Sequence, residues 1–69
     1  MYSYEISGYY FVTDESGHCE RKHFDEEVTA QDNVEAMEMV IGAYAWKESL
    51  AGNTFKLDTI HYEVLHECL

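Results

Sequence analysis

The sequence predicts an α+β domain: a three-stranded antiparallel sheet in the order 2-1-3, with one helix packed on one face. Three observations favour this fold. Segments rich in Tyr, Phe, Ile and Val stand on both sides of a single segment with helical periodicity. Short turn sequences join the segments, which favours antiparallel neighbours. A chain of 69 residues has room for one domain with a small core.

The first predicted strand extends from Tyr2 to Thr13. Both of its faces carry large apolar side chains: Tyr2, Tyr4, Ile6, Tyr10 and Val12 on one face, and Tyr9 and Phe11 on the other. A strand that is apolar on both faces is expected in the centre of a sheet. Gly8 predicts a bend or bulge within this strand.

A tight turn is predicted at residues 14–17, where Gly17 tolerates a positive φ. The second predicted strand then covers His18 to Val28. Phe24 and Val28 share one face of it. The opposite face is entirely polar and consists of Cys19, Arg21, His23, Asp25 and Glu27. One side of the sheet should therefore face water.

The helix is predicted from Asn33 to Leu50. Asp32 stands before it as a residue that caps free amides, and Glu35 is placed to reach back to that cap. Gly52 provides the C-terminal stop, because glycine adopts the left-handed conformation that ends many helices.

The helix carries two apolar stripes, although a single sheet covers only one. The core-facing stripe is formed by Met37, Val40, Ile41 and Tyr44. The outer stripe is formed by Met39, Ala43, Trp46 and Leu50. We expect the outer stripe to be exposed in the monomer and to form an interface, in a homodimer before any other partner. The alternative is a rotated helix whose Trp46 folds over a sheet edge or packs against Leu65 and Leu69.

The last predicted strand extends from Phe55 to about Cys68 and should pair antiparallel with the first. Its apolar positions change parity, with Phe55 and Leu57 on one and Ile60, Tyr62 and Val64 on the other. Side chains alternate strictly between the two faces of a regular strand. The change of parity therefore predicts a bulge or break near residues 58–59.

The charge is the most informative feature for function. Fourteen Asp and Glu against four Lys and Arg give a formal net charge of -10, yet 46% of the residues are hydrophobic. Such a surface repels nucleic acid and membranes and steers the molecule towards basic partners. The acids expected to contact a basic partner are Asp14, Glu15, Glu20, Asp25, Glu26, Glu27, Asp32, Glu35 and Glu38.

Two interpretations of these acids stay open. In the first, they imitate nucleic-acid phosphates and occupy a groove lined by Lys and Arg on a nucleic-acid-binding protein. In the second, they keep a small adaptor or structural protein soluble, while Asp32 and Glu35 complement the helix dipole. The near absence of interspersed bases favours the first, since surfaces tuned for solubility mix both signs.

No metal site, cofactor or catalytic residue is predicted. The possible ligands are His18, Cys19, His23, His61, His66 and Cys68. Their spacing lacks the close pairs of structural zinc sites. The pair at residues 18–19 and the group at residues 66–68 also belong at opposite ends of the sheet, which rules out a shared site or a disulfide within one chain. A site shared across a dimer stays open. We expect a binding protein and not an enzyme.

A cytoplasmic location is expected. The sequence shows neither a signal peptide at its start nor a stretch long and apolar enough to span a membrane. Free thiols are the default in that compartment.

In size, acidity and architecture the chain resembles the small proteins with which phages and other mobile elements disarm host nucleic-acid machinery, anti-CRISPR proteins among them. The resemblance rests on the charge, on the strand at residues 2–11 and on the helix start at residues 32–36. It implies binding to the basic nucleic-acid channel of a CRISPR effector complex or nuclease. The chain also resembles the antitoxin domains of toxin–antitoxin pairs, but it has no basic DNA-binding arm.

Overall fold

The computed structural model describes residues 1–67 and has the α+β architecture that the sequence predicts. Strand β1 comprises Tyr2–Thr13, β2 Cys19–Ala30, helix α1 Asn33–Leu50 and β3 Thr54–Glu67. The strands form one antiparallel sheet in the order β2-β1-β3. The bounds of β1 and α1 are as predicted. Strand β2 lies slightly later than predicted and β3 begins one residue earlier, while the predicted end of β3 at Cys68 lies outside the described residues.

The central position of β1 follows from its composition. Tyr4, Ile6, Tyr10 and Val12 are buried beneath the helix, with Ile6 fully enclosed. They pack with Phe24, Ala30, Ala36 and Val40 into one core. Tyr10 lies at its aromatic centre, with ring centroids 5.1 Å from Phe55, 5.4 Å from Tyr44 and 6.1 Å from Phe24. Stacking of this kind adds to the burial of apolar area.

The sheet has two bulges, and both lie in β3. Thr59 pairs with Tyr9 and Leu57 with Tyr10, so Asp58 is the extra residue, as the change of parity predicts. A second extra residue, Leu65, separates the partners of Ser3 and Tyr4. Because of the bulge at Asp58, odd-numbered residues of β3 before it and even-numbered residues after it face the helix.

Gly8 has a different role from the predicted bend. Its pairing with β2 and β3 is regular, with Phe24 on one side and Ile60 on the other. A Cβ atom at this position would collide with the carbonyl group of Thr59. Glycine is therefore required by the close approach of the β3 backbone beside its bulge.

Both ends of the helix are capped by local sequence. The Asp32 carboxylate accepts a 2.8 Å hydrogen bond from the Glu35 amide. At the other end Gly52 has φ 81°, and the amides of Gly52 and Asn53 donate to the carbonyls of Ser49 and Glu48. This pair of bonds is a Schellman motif, which explains why the helix ends as predicted.

The core-facing side of the helix is shifted from the prediction. Ala36, Val40 and Glu48 are buried. Met37, Ile41 and Tyr44 are half-buried. Ala36 allows the helix to lie close to the end of β2, and Glu48 finds hydrogen-bond donors below it. The buried Glu48 carboxylate, which has hydrogen-bond donors as partners, therefore extends the core-facing stripe of the helix.

The molecule is elongated, measuring 47 × 18 × 14 Å. An 18-residue helix is about 27 Å long, whereas the 14 residues of β3 span about 46 Å. The helix begins near the end of β2 and ends near the start of β3. It therefore lies diagonally over the sheet and leaves the second half of β3 uncovered. Tyr62 and Val64 are accordingly 50% exposed there. Within the described residues, no helix is long and apolar enough to cross a membrane.

Candidate protein-binding surfaces

The face of the sheet opposite the helix, which we call the open face, carries a row of three carboxylates. Glu5 on β1 lies directly opposite Glu27 on β2 and directly opposite Glu63 on β3. Side chains of directly opposed residues have Cβ atoms about 4.5–5.5 Å apart. We call Glu27, Glu5 and Glu63 the carboxylate row. Asp25 lies on the same face, one row closer to the hairpin.

Few groups in the protein offset the charge of this row. Ser3 donates a 2.9 Å hydrogen bond to the Glu27 carboxylate. Among residues 1–67 the ion pairs are Arg21 with Asp58 and Lys22 with Glu48, neither of which includes the row. The nearest cations on this face, Arg21 and Lys56, flank Phe11. Phe11 lies six residues from Glu5 along β1, about 20 Å away. The Arg21 guanidinium lies over Tyr9, four residues or about 13 Å from Glu5, which is still beyond the screening length of about 8 Å at physiological salt.

The hairpin half of the same face has the opposite character. The Arg21 guanidinium lies 3.9 Å from the centre of the Tyr9 ring and donates a 2.9 Å hydrogen bond to Asp58. The His23 ring, directly opposite Tyr9 on β2, has its centroid 5.0 Å from that of the Tyr9 ring. Stacking and ion pairing thus hold Arg21 over the sheet, so the open face is basic and aromatic at one end and acidic at the other.

Several of the acids predicted to bind a partner have local structural roles. Asp14 accepts hydrogen bonds from the Ser16 hydroxyl, the Ser16 amide and the His18 amide, and these hold the pKa of its carboxyl below the ordinary value. Asp32 caps the helix. Glu26 accepts a 2.5 Å hydrogen bond from the Tyr44 hydroxyl, which raises the pKa of Tyr44 to about 12. These three residues are explained by the fold alone.

The other predicted acids form separate groups. Glu15 and Glu20 are exposed at the hairpin end, and Glu35 and Glu38 are exposed on the first half of the helix. Asp25 and Glu27 alone point to the open face together with Glu5 and Glu63. The last two were not among the predicted binding residues. The alternation of side chains within each strand was visible in the sequence. Whether Glu5 and Glu63 lie opposite each other depends on the register of β3 against β1.

Glu48 was also missed, and its role is internal. Only 3% of it is exposed, beneath the last turn of the helix. Asn53 and Tyr10 each donate a 3.1 Å hydrogen bond to its carboxylate, and the Lys22 ammonium lies 3.7 Å away. The Asn53 bond is the main cause that lowers the pKa of Glu48, while burial raises the pKa of Tyr10 to about 12.

The outer stripe is exposed, as the sequence predicts for the monomer. Trp46 is 67% exposed, Leu50 71% and Met39 47%, and Ala43 is exposed between them. Because two thirds of Trp46 is exposed, the rotated helix that would bury it is not what the structure shows. Leu69, one of its suggested contacts, lies outside the described residues. A shallow groove of about 230 Å³ runs beside the stripe and is lined by Glu26, Ala43, Tyr44 and Lys47.

The histidines and cysteines are dispersed. His18 and Cys19 lie at the hairpin end, whereas His66 pairs with Ser3 at the other end of the sheet. Within residues 1–67 no three His, Cys, Asp or Glu side chains are arranged to hold a metal ion. Cys19 is a free, exposed thiol. Cys68, the other predicted candidate, lies outside the described residues.

No protein-family model, no curated protein and no solved structure matches this chain. The geometry of the two surfaces is therefore the basis for the functional proposal.

Proposed function

We propose that this protein is a binding inhibitor whose acidic open face occupies the basic nucleic-acid-binding surface of a host defence or nucleic-acid-handling protein. The observation that carries the proposal is the carboxylate row, Glu27–Glu5–Glu63, across three neighbouring strands. Directly opposed like charges destabilise a sheet. A feature that breaks a local stability rule is expected where function requires it.

The spacing of the row supports phosphate mimicry. Neighbouring strands lie about 4.8 Å apart, so the three carboxylates form a line of charges at about that interval. A nucleic-acid strand carries one charge per about 3.4 Å of helix axis. A groove of Lys and Arg that binds phosphates therefore meets a comparable charge density on this face, and the net charge of -10 steers the encounter.

The proposed partner class follows from this chemistry. Proteins that track single strands or guide–target duplexes line their channels with Lys and Arg. A CRISPR effector complex or nuclease belongs to this class, in line with the anti-CRISPR resemblance. The protein itself would bind neither nucleic acid nor membrane, because both repel its charge.

The test is capture from a lysate of the source cell on immobilised protein at low salt. We expect a nucleic-acid-binding protein that is released both by moderate salt and by a single-stranded oligonucleotide, because exposed charges are screened and phosphates compete for the same groove. Reversing two exposed acids of the row, Glu27→Lys with Glu63→Lys, should abolish capture.

The matched control is Glu35→Lys with Glu38→Lys, which changes the net charge equally but on the helix. The proposal is overturned if the captured protein resists both salt and oligonucleotide. It is also overturned if the helix variant and the open-face variant lose capture to the same extent.

A second candidate function is favoured by the outer stripe: a homodimeric structural or adaptor protein associating through Met39, Ala43, Trp46 and Leu50. Exposed apolar stripes that contain Trp and Met are typical of association surfaces. Sedimentation of the wild type and of Trp46→Glu distinguishes this candidate. A dimer that persists in high salt and dissociates in the variant supports it, whereas a wild-type monomer at all concentrations excludes it.

A further inference from the structure

We propose that β3 receives an added strand from the partner, and that this strand alternates basic and apolar residues. The inference rests on the proposed function and names the element of the basic partner that binds. Strand addition to an exposed sheet edge supplies main-chain hydrogen bonds for affinity and alternating side-chain positions for specificity.

The first argument is that β3 is the unprotected edge. Both β2 and β3 lie at the edges of the sheet. Strand β2 carries six charged residues, Glu20, Arg21, Lys22, Asp25, Glu26 and Glu27. Charges of this kind normally prevent edge pairing. Residues 59–64 of β3 have the sequence Thr-Ile-His-Tyr-Glu-Val. Among Asp, Glu, Lys and Arg, this segment contains Glu63 alone.

The second argument is that this segment is regularly paired and of defined length. Thr59 to Val64 pair in unbroken register with Tyr9 to Tyr4, and the bulges at Asp58 and Leu65 lie at its two ends. Six residues match the usual length of a strand. Bulges twist an edge away from further pairing, so they delimit the segment that is able to accept a partner.

The third argument is the chemistry of its two faces. On the helix side, Tyr62 and Val64 remain 50% exposed because the helix crosses away from them. On the open side, Glu63 ends the carboxylate row. A strand added beside β3 would therefore place apolar side chains next to Tyr62 and Val64, and cationic side chains next to Glu63. The cations of the added strand would lie in line with the carboxylate row and would neutralise part of its charge.

The net charge favours a foreign strand over a second copy. Pairing two copies along β3 would bring two carboxylate rows and two net charges of -10 together. Like charges in this arrangement oppose association. A basic strand gains from the same field.

The experiment is a titration of the whole protein with a capped heptapeptide of alternating Lys and Val, followed by amide NMR. We expect shift changes and slowed amide exchange at residues 59–64. A peptide of the same composition, with the Lys and Val residues in separate blocks, should bind about tenfold more weakly, because it cannot satisfy both faces at once.

The decisive variant is Glu63→Lys, compared with Glu38→Lys on the helix, which changes net charge equally. Glu63→Lys should weaken binding of the Lys/Val peptide about tenfold. Glu38→Lys should leave the affinity close to wild type. Equal effects of the two variants, or shift changes elsewhere than residues 59–64, would overturn the proposal. A β3–β3 dimer that excludes the peptide would also do so.

The two proposals fail separately. If the capture experiment succeeds while the captured protein leaves the amides of residues 59–64 unchanged, strand addition is wrong and the inhibitor function stands. If the Lys/Val peptide adds to β3 but no nucleic-acid-binding protein is captured, the edge is a strand-binding site and the inhibitor function is wrong.

Discussion

At the scale of single residues, acids of the same chemical type have opposite effects on this fold. Glu48 is buried with two hydrogen-bond donors and a nearby ammonium group, so its charge stabilises the native state. Glu5 faces two carboxylates, an arrangement of like charges that destabilises a sheet. The difference comes from what lies opposite each side chain, because a charge is favourable only with a matching partner.

We expect Glu5→Gln to raise the free energy of unfolding by about 0.5–1 kcal/mol at low salt, since it removes two cross-strand repulsions. Urea denaturation followed by circular dichroism measures this change. Glu38→Gln is the control, because this exposed helix residue has no opposed strand, and its effect should stay within about 0.5 kcal/mol. A loss of stability in Glu5→Gln would show that the row does not repel itself.

Glu48→Gln should lower the free energy of unfolding at pH 7 by about 1–3 kcal/mol, because the amide removes the charge and keeps one acceptor oxygen but places an N–H donor against the second hydrogen-bond donor. The pKa of Glu48 is lowered on folding from an ordinary 4.5. Its charge therefore stabilises the protein above that value, and the contribution is lost as pH falls through the folded pKa. The gap between wild type and variant should accordingly shrink from pH 6 to pH 3 in denaturant titrations. A gap independent of pH would refute the role of the charge.

At the scale of the elements, turn and cap residues are the part of the fold that local sequence specifies. Asp32 caps the helix, and Gly17 and Gly52 take the positive φ values that their positions require. These features need neighbours only a few residues away, which is why the helix bounds were predictable. The bulge at Asp58 was predictable for a similar reason, because the change of apolar parity is visible in one strand.

The carboxylate row was not predictable in this way. It requires the register of β1 against β3, whose residues lie far apart in the chain, and that register depends on two bulges. No change in the alternation of apolar residues marks the bulge at Leu65 in the sequence. Burial of Glu48 was hidden as well, because a Glu in the last turn of a helix is ordinarily exposed.

The two glycines in regular elements should respond oppositely to the same change. Gly8→Ala should destabilise the protein by about 1–3 kcal/mol, because the new methyl group meets the Thr59 carbonyl. Gly42→Ala should stabilise it by about 0.5–1 kcal/mol, since that position on the helix is open and alanine restricts the unfolded chain. Thermal and urea unfolding of both variants test the pair. Equal signs would contradict the assigned environments.

At the scale of the whole molecule, self-repulsion limits stability. A net charge of -10 is carried on a molecule only 14–18 Å across its short axes. Uncompensated charge of one sign destabilises the compact state relative to the expanded chain. Binding to the proposed basic partner would remove this repulsion and thereby link association to folding stability.

Salt should therefore stabilise the free protein. Raising NaCl from about 0.01 M to about 1 M shortens the screening length from about 30 Å to about 3 Å. We expect Tm to rise by at least about 4 °C, which corresponds to about 1 kcal/mol for a domain of this size. The rise should be smaller in Glu5→Gln. A Tm that falls with NaCl would mean that the ion pairs outweigh the repulsion.

The strand order 2-1-3 also sets a sequence of events during folding. Strand β1 meets β2 across a short hairpin, but its other edge must wait for β3, which follows the helix in the chain. Local hairpins close within microseconds, whereas distant pairings are delayed by the entropy of loop closure. In a growing chain, the aromatic central strand therefore has one unpaired edge until β3 has been added. The sheet is complete only when the segment after the helix takes its place beside β1.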